Sequence, residues 1–108
     1  MGRDFSPQEQ NESEAFGMDF INDLESGEEL TSSIWTMVVT DGFDPTPEKR
    51  LEGPSAVCRA FNSDLKTATI QRIGGLLPDV TYVVRSEVIT TLGNIRSLWS
   101  HVRGVNVD

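Results

Sequence analysis

The run Thr81-Tyr82-Val83-Val84-Arg85-Ser86-Glu87-Val88-Ile89-Thr90-Thr91 constrains the fold of this chain more than any other stretch. It is rich in β-branched residues and alternates with period two: Tyr82, Val84 and Val88 fall on one face, Arg85 and Glu87 on the other. Such a segment belongs in a sheet with one face buried, and its period is wrong for a helix. The rest of the chain agrees with it. No segment sustains a helical period over the roughly ten residues that a helix needs. Leu30 to Thr40 (LTSSIWTMVVT) reads as another strand. Both faces are partly apolar; Trp35, Met37 and Val39 are favoured as the core face over the face of Leu30, Ile34, Thr36 and Val38. Phe16 to Ile21 reads as a short first strand, followed by a polar turn from Asp23 to Glu29. Asp41 to Pro54, with three prolines and two glycines, reads as a loop. Ser55 to Asn62 and Lys66 to Ile73 read as a hairpin turning at Asn62-Ser63-Asp64, and Gly74-Gly75 ends the pairing. After the turn at Leu92-Gly93-Asn94 a last strand runs from Ile95 to about Val102. About six to seven short strands at roughly even spacing predict an all-β chain, an antiparallel sandwich.

A length of 108 residues suits one domain. The net charge of −8 is unevenly placed: residues 1–30 hold nine of the 17 acids and one base, Arg3, so the remainder is formally neutral. Residues 1–15 (MGRDFSPQEQNESEA) are too polar to offset the entropy of ordering by burial. They are expected to form an extended acidic N-terminal arm, disordered in isolation and ordered on a neighbour, with residues 16–108 as the sandwich. The acidic balance excludes the basic stripe that nucleic acid requires, and permits a basic protein surface as partner.

The chemical inventory is sparse. Cys58 is the one cysteine, so neither an intrachain disulfide nor a thiolate zinc cluster can form; its place in an apolar alternation suggests a buried, inert thiol. His101 is the one histidine, on a strand between Ser100 and Val102, with no acid at a metal-ligand spacing. Gly74-Gly75 is followed by Leu-Leu-Pro rather than a helix start, so no phosphate loop forms there. Glu28-Glu29 lies in a turn, where carboxylates are usually solvated, and Asp41, Asp44 and Glu48 do not match a calcium-loop spacing. We therefore expect no catalytic, cofactor-binding or metal-binding residue. No signal-peptide pattern and no apolar run of membrane-spanning length is present, so a protein made in a reducing cytoplasm, without a membrane partner, is expected.

Two resemblances carry further expectations. Gly75-Leu76-Leu77-Pro78-Asp79-Val80-Thr81-Tyr82 resembles the tyrosine corner of fibronectin type III and immunoglobulin-like sandwiches. There, a proline-containing turn precedes a strand and a buried tyrosine bonds back to the chain just upstream. It implies an immunoglobulin-like sandwich. Over residues 16–103, the series Asp19-Phe20, Asp23-Leu24, Gly27-Glu28, Leu30, Ser32, Trp35 is similar to the opening of small bacteriophage fibre-tail adaptor and neck (head–tail) structural proteins. Gly74-Gly75, Tyr82-Val83-Val84, Val88-Ile89-Thr90-Thr91 and Gly93 are similar to their second half. The chain differs in having Asp79 where that family commonly has glycine, and a longer insertion around residues 44–54. The resemblance implies a non-enzymatic virion structural protein made in the host bacterial cytoplasm. It would be an adaptor in the neck or tail, with tail, adaptor or fibre proteins as partners and a homo-oligomeric ring or several symmetric copies. A carbohydrate- or ligand-binding immunoglobulin-like module is the alternative, with Trp99, Phe43 and Tyr82 as its candidate aromatics, Tyr82 being better explained as core.

The interface expected from the sequence comprises Phe5, Glu9, Glu12 and Glu14 on the arm, and Trp99 and His101 on the last strand. If Leu98 and Val102, an apolar pair, face the core, alternation turns Trp99 and His101 outward, where an aromatic side chain can anchor a partner; the open alternative places Trp99 in the core and Leu98 outward.

Overall fold

The computed structural model describes residues 8–9, 12–60 and 64–105, with Glu9 as backbone only. Strands follow one another as β1 (Gln8–Glu9), β2 (Ser13–Asp19), β3 (Leu30–Asp41), β4 (Leu51–Cys58), β5 (Ala68–Gly74), β6 (Thr81–Thr90) and β7 (Ile95–Val105). Two short 3-10 turns, Ile21–Asp23 and Pro47–Arg50, are the only helical elements among the described residues. In the order β2-β5-β4, three strands form one antiparallel sheet; β3, β6 and β7 form the other, and β1 adds in parallel to β7. The partition of strands is that of an immunoglobulin-like sandwich, whose B, E and D strands face C, F and G. Each sheet turns one face inward, because a sheet that alternates apolar and polar residues must bury the apolar side.

The core is a single cluster. Phe16, Met18 and Ile73 come from the first sheet, Trp35, Met37, Tyr82, Val84, Val88 and Val102 from the second, and Phe20, Leu30, Leu76 and Val80 close the ends. Trp35 thus lies on the third strand and Tyr82 at the start of the sixth, the positions that tryptophan and the corner tyrosine hold in immunoglobulin domains. Val84, two residues after Tyr82, occupies the place of the second disulfide cysteine in antibody domains. Apolar packing takes over there. The Tyr82 hydroxyl accepts a hydrogen bond from the Leu77 amide at 3.1 Å, closing the tyrosine corner five residues upstream. Within that corner Asp79 adopts φ 62°, the left-handed conformation that favours glycine and that aspartate tolerates better than most residues.

Strand β4 differs from the sequence expectation. It begins at Leu51 rather than Ser55 and ends at Cys58, so the segment read as a proline-rich loop is partly strand. Pro54 is accommodated because β4 is an edge strand, and the pairing with β5 is irregular between Glu52 and Ala56. The Gln71 side-chain amide donates to the Gly53 carbonyl at 2.9 Å, supplying a partner where the ladder is interrupted. Cys58 pairs with Ala68 and is half-buried, not enclosed as its alternation suggested. The turn expected at residues 62–64 lies largely outside the described residues, as does most of the arm. Of residues 1–15, Gln8 and Glu9 pair with Gly104 and Val105, and Ser13 to Ala15 already belong to β2. The buried Gln8 side chain donates to the Ile73 carbonyl at 3.0 Å, so it reaches from one sheet to the other.

Gly104 is the position at which β7 passes closest to the tyrosine corner. A Cβ there would lie 2.0 Å from the Leu77 carbonyl oxygen, a backbone atom that cannot swing aside. The Gly104 amide donates to the Val80 carbonyl at 2.9 Å, and its carbonyl accepts from Asp79 at 3.0 Å, so the strand is pinned on both sides. Gly104→Ala is therefore expected to destabilise the domain by about 3 kcal/mol. A thermal melt should show it as a fall of roughly 10 °C or more; an unchanged melt means that β7 approaches the corner less closely.

Candidate functional site

Two carboxylates are buried at structural junctions, and both are saturated. Asp44 accepts hydrogen bonds from the Thr46 amide at 3.0 Å, from Arg50 Nε at 2.9 Å and from the Tyr82 hydroxyl at 2.7 Å. The Arg50 hydrogen bond holds its carboxyl at about 2, against an ordinary 3.8 and despite the opposing effect of burial. Burial pushes the Tyr82 phenol up. Glu28 accepts from Thr90 Oγ1, from the Glu25 amide at 2.9 Å and from Asn94 Nδ2 at 3.0 Å. The Thr90 hydrogen bond is the largest cause holding its carboxyl below the ordinary range. Glu28 was expected to be solvated in its turn; instead it ties the turn before β3 to the turn between β6 and β7. A carboxylate with its oxygens occupied in this way is a structural tie, poorly placed to exchange protons with a substrate. No group of three or more His, Cys, Asp or Glu among the described residues is placed to hold a metal ion.

The exposed surface is more informative. Nine large hydrophobic side chains are exposed among the described residues, and five of them share one face: Ile34, Val38, Ile89, Ile95 and Trp99. All lie on the outer side of the β3-β6-β7 sheet. The register arranges this face in rows across the three strands. Val38, Val83 and His101 form one row; Thr36, Arg85 and Trp99 the next; then Ile34, Glu87 and Ser97; then Ser32, Ile89 and Ile95. Ile34 is 66 % exposed, Ile95 60 % and Trp99 41 %. The other sheet's outer face sets Ile70 among Ala15, Gly17, Ala56 and Ala68, with the charged Asp19, Arg72 and Glu52 in the same rows. Large exposed hydrophobics gathered on one sheet face, here around a central charged pair, mark interaction sites more often than singly scattered ones do.

In the middle of the face, Arg85 Nη2 lies 3.6 Å from Glu87 Oε2 and donates to Ser97 Oγ at 3.0 Å. Trp99 meets His101 edge to face at 5.4 Å between ring centroids. Trp99 and His101 thus share the outer face, while Val102 is buried and Leu98 packs against the core. The other residues expected at an interface lie elsewhere or are outside the described residues. Glu14 is exposed on β2, in the opposite sheet, and the Glu12 carbonyl accepts from the Gly75 amide at 3.3 Å. Glu9 pairs through its backbone with Val105, its side chain falling outside the described residues, as does Phe5 entirely. The apolar members that sequence reading did not gather, Ile34, Val38, Ile89 and Ile95, each stood on a strand's second face; only the strand order unites them. No family model, curated protein or solved structure matches the chain.

Proposed function

We propose that this chain is a non-enzymatic assembly module that docks to other protein surfaces through the outer face of its β3-β6-β7 sheet, and that it serves as a structural subunit of a bacteriophage virion, in the neck or tail. The observation that carries the docking role is the clustering of five exposed large hydrophobics on one sheet face. An open sheet face bearing large apolar side chains suits a protein surface better than a small molecule, which needs concave enclosure. The virion assignment rests on the similarity of the glycine-glutamate turn, the serine-tryptophan strand and the Tyr82 strand to fibre-tail adaptor and neck proteins. The nine acids among residues 1–30 make this end of the sequence acidic, which suits a basic neighbour.

The test uses phage particles from a lysate in which the chain is expressed from its own genome. Quantitative mass spectrometry of gradient-purified particles should find it in several copies per particle. Ile34→Lys, which puts a charge on the β3 side of the face without touching the core, should leave the domain folded and remove it from the particles. A chain absent from purified particles ends the virion assignment; normal incorporation of Ile34→Lys ends the docking role of the face.

A further inference from the structure

The outer sheet face carries an ion pair at its centre, and this limits what can cover it. An uncharged apolar partner would bury Arg85 and Glu87 together with their single mutual contact, and charges withdrawn from water without new partners cost several kcal/mol each. The occupant must therefore present an acid opposite Arg85 and a base opposite Glu87, at the same spacing along a strand.

The chain itself presents that pattern, and we infer that the outer face of the β3-β6-β7 sheet closes on a second copy of this chain, face to face about a two-fold axis. This rests on the docking role proposed above. The axis lies in the plane of contact, across the strands, at the level of Ser86. Two sheets packed face to face keep their strands nearly aligned, about 30° apart, so β6 runs antiparallel over β6 of the other copy. Arg85 then stands over the partner's Glu87 and Glu87 over the partner's Arg85, giving two equivalent ion pairs. Val83 stands over the partner's Ile89. On the flanking strands large side chains meet small ones: Trp99 faces the partner's Ser97, and Ile34 faces the partner's Thr36. These pairings follow from the register and from the symmetry of an isologous contact, in which each pair occurs twice. The opposite two-fold, with its axis along the strands, would set Arg85 against the partner's Arg85 and is disfavoured by like charge. The half-exposed side chains of Arg85 and Glu87, at 55 % and 49 %, are free to re-aim from each other to the partner.

Charge reversal tests the geometry. Sedimentation velocity of the full chain in about 0.15 M salt, up to about 1 mM, should show a monomer–dimer equilibrium. Arg85→Glu places two acids opposite two acids, and Glu87→Arg two bases opposite two bases, so each variant alone should dimerise about tenfold or more weakly. Mixed in equal amounts, the two variants restore both ion pairs and should form a heterodimer. That recovery also shows that both variants are folded. A wild-type chain that stays monomeric, variants that dimerise undiminished, or a mixture that fails to pair each overturn the inference. The docking role is judged separately: a monomeric wild type together with loss of Ile34→Lys from particles leaves the face as a docking site for a different protein, whereas normal incorporation of that variant removes both.

Discussion

Trp35→Ala is expected to destabilise the domain by about 3–5 kcal/mol, read as a fall in the urea midpoint at unchanged slope. Trp35 is 5 % exposed and is one of the largest members of the core, so its removal leaves a cavity between the two sheets. It is also the first link of a polar chain. Its indole Nε1 donates to Thr69 Oγ1 at 3.1 Å, Thr69 donates to Ser33 Oγ at 2.8 Å, and Ser33 and Ser55 share a hydrogen bond at 2.7 Å. Trp35→Phe separates the two contributions, since it keeps most of the apolar volume and removes the indole donor. Its cost should be about 1–2 kcal/mol. Equal costs for the two variants would mean that the hydrogen-bonded chain, and not the cavity, dominates.

Asp44→Ala is expected to cost about 3 kcal/mol, the lower end of what breaking a buried ion pair costs, because Arg50 retains 20 % side-chain exposure and can turn to water. The Tyr82 hydroxyl, in a fully buried residue, then loses the carboxylate that accepts its proton, while the Leu77 amide still donates to it. A pH signature accompanies this. The folded-state carboxyl titrates at about 2 and the ordinary one at 3.8, so the folded state favours the ionised form. Its contribution is complete above pH 3.8 and is lost as pH falls from there towards about 2. Glu28 is depressed as well and loses its contribution below its ordinary 4.5. Stability curves of wild type and Asp44→Asn should therefore converge across the Asp44 window, with the Glu28 slope retained in both. Parallel curves down to pH 2 would remove Asp44 as the acid-sensitive tie.

What the sequence disclosed was whatever its local pattern carried. β3 and β6 were legible from period-two alternation, including the inward face of Trp35 and Met37, and the tyrosine corner was legible because its parts lie within a few residues. β4 was misplaced because proline and glycine normally mark loops; its status as an irregular edge strand depends on pairing with β5, which no local signal contains. The two buried carboxylates were invisible for a related reason. Asp44 meets Tyr82 across 38 positions and Glu28 meets Thr90 across 62, and an acid in a turn is usually solvated. One signal was available: a buried corner tyrosine needs an acceptor as well as a donor, and the acid-bearing insertion at residues 41–48 could supply it. The exposed face was half legible. Alternation left Trp99 either outward or in the core, and nothing in its own strand places it beside Arg85, in one row with Thr36.

The pairing of β1 with β7 has a mechanical consequence. The two strands run in parallel, so tension entering through Gln8 and leaving through Val105 pulls them in opposite directions along their length. Their hydrogen bonds are sheared together rather than peeled in succession, and the Gln8 amide, anchored on the Ile73 carbonyl of the opposite sheet, resists the same slip. Among the described residues the junction spans two residue pairs, so it should yield before the six-stranded body does. Stretching by the ends in a force spectrometer would then give a small early release of chain followed by the main rupture, at rates set by unfolding barriers rather than equilibrium stability.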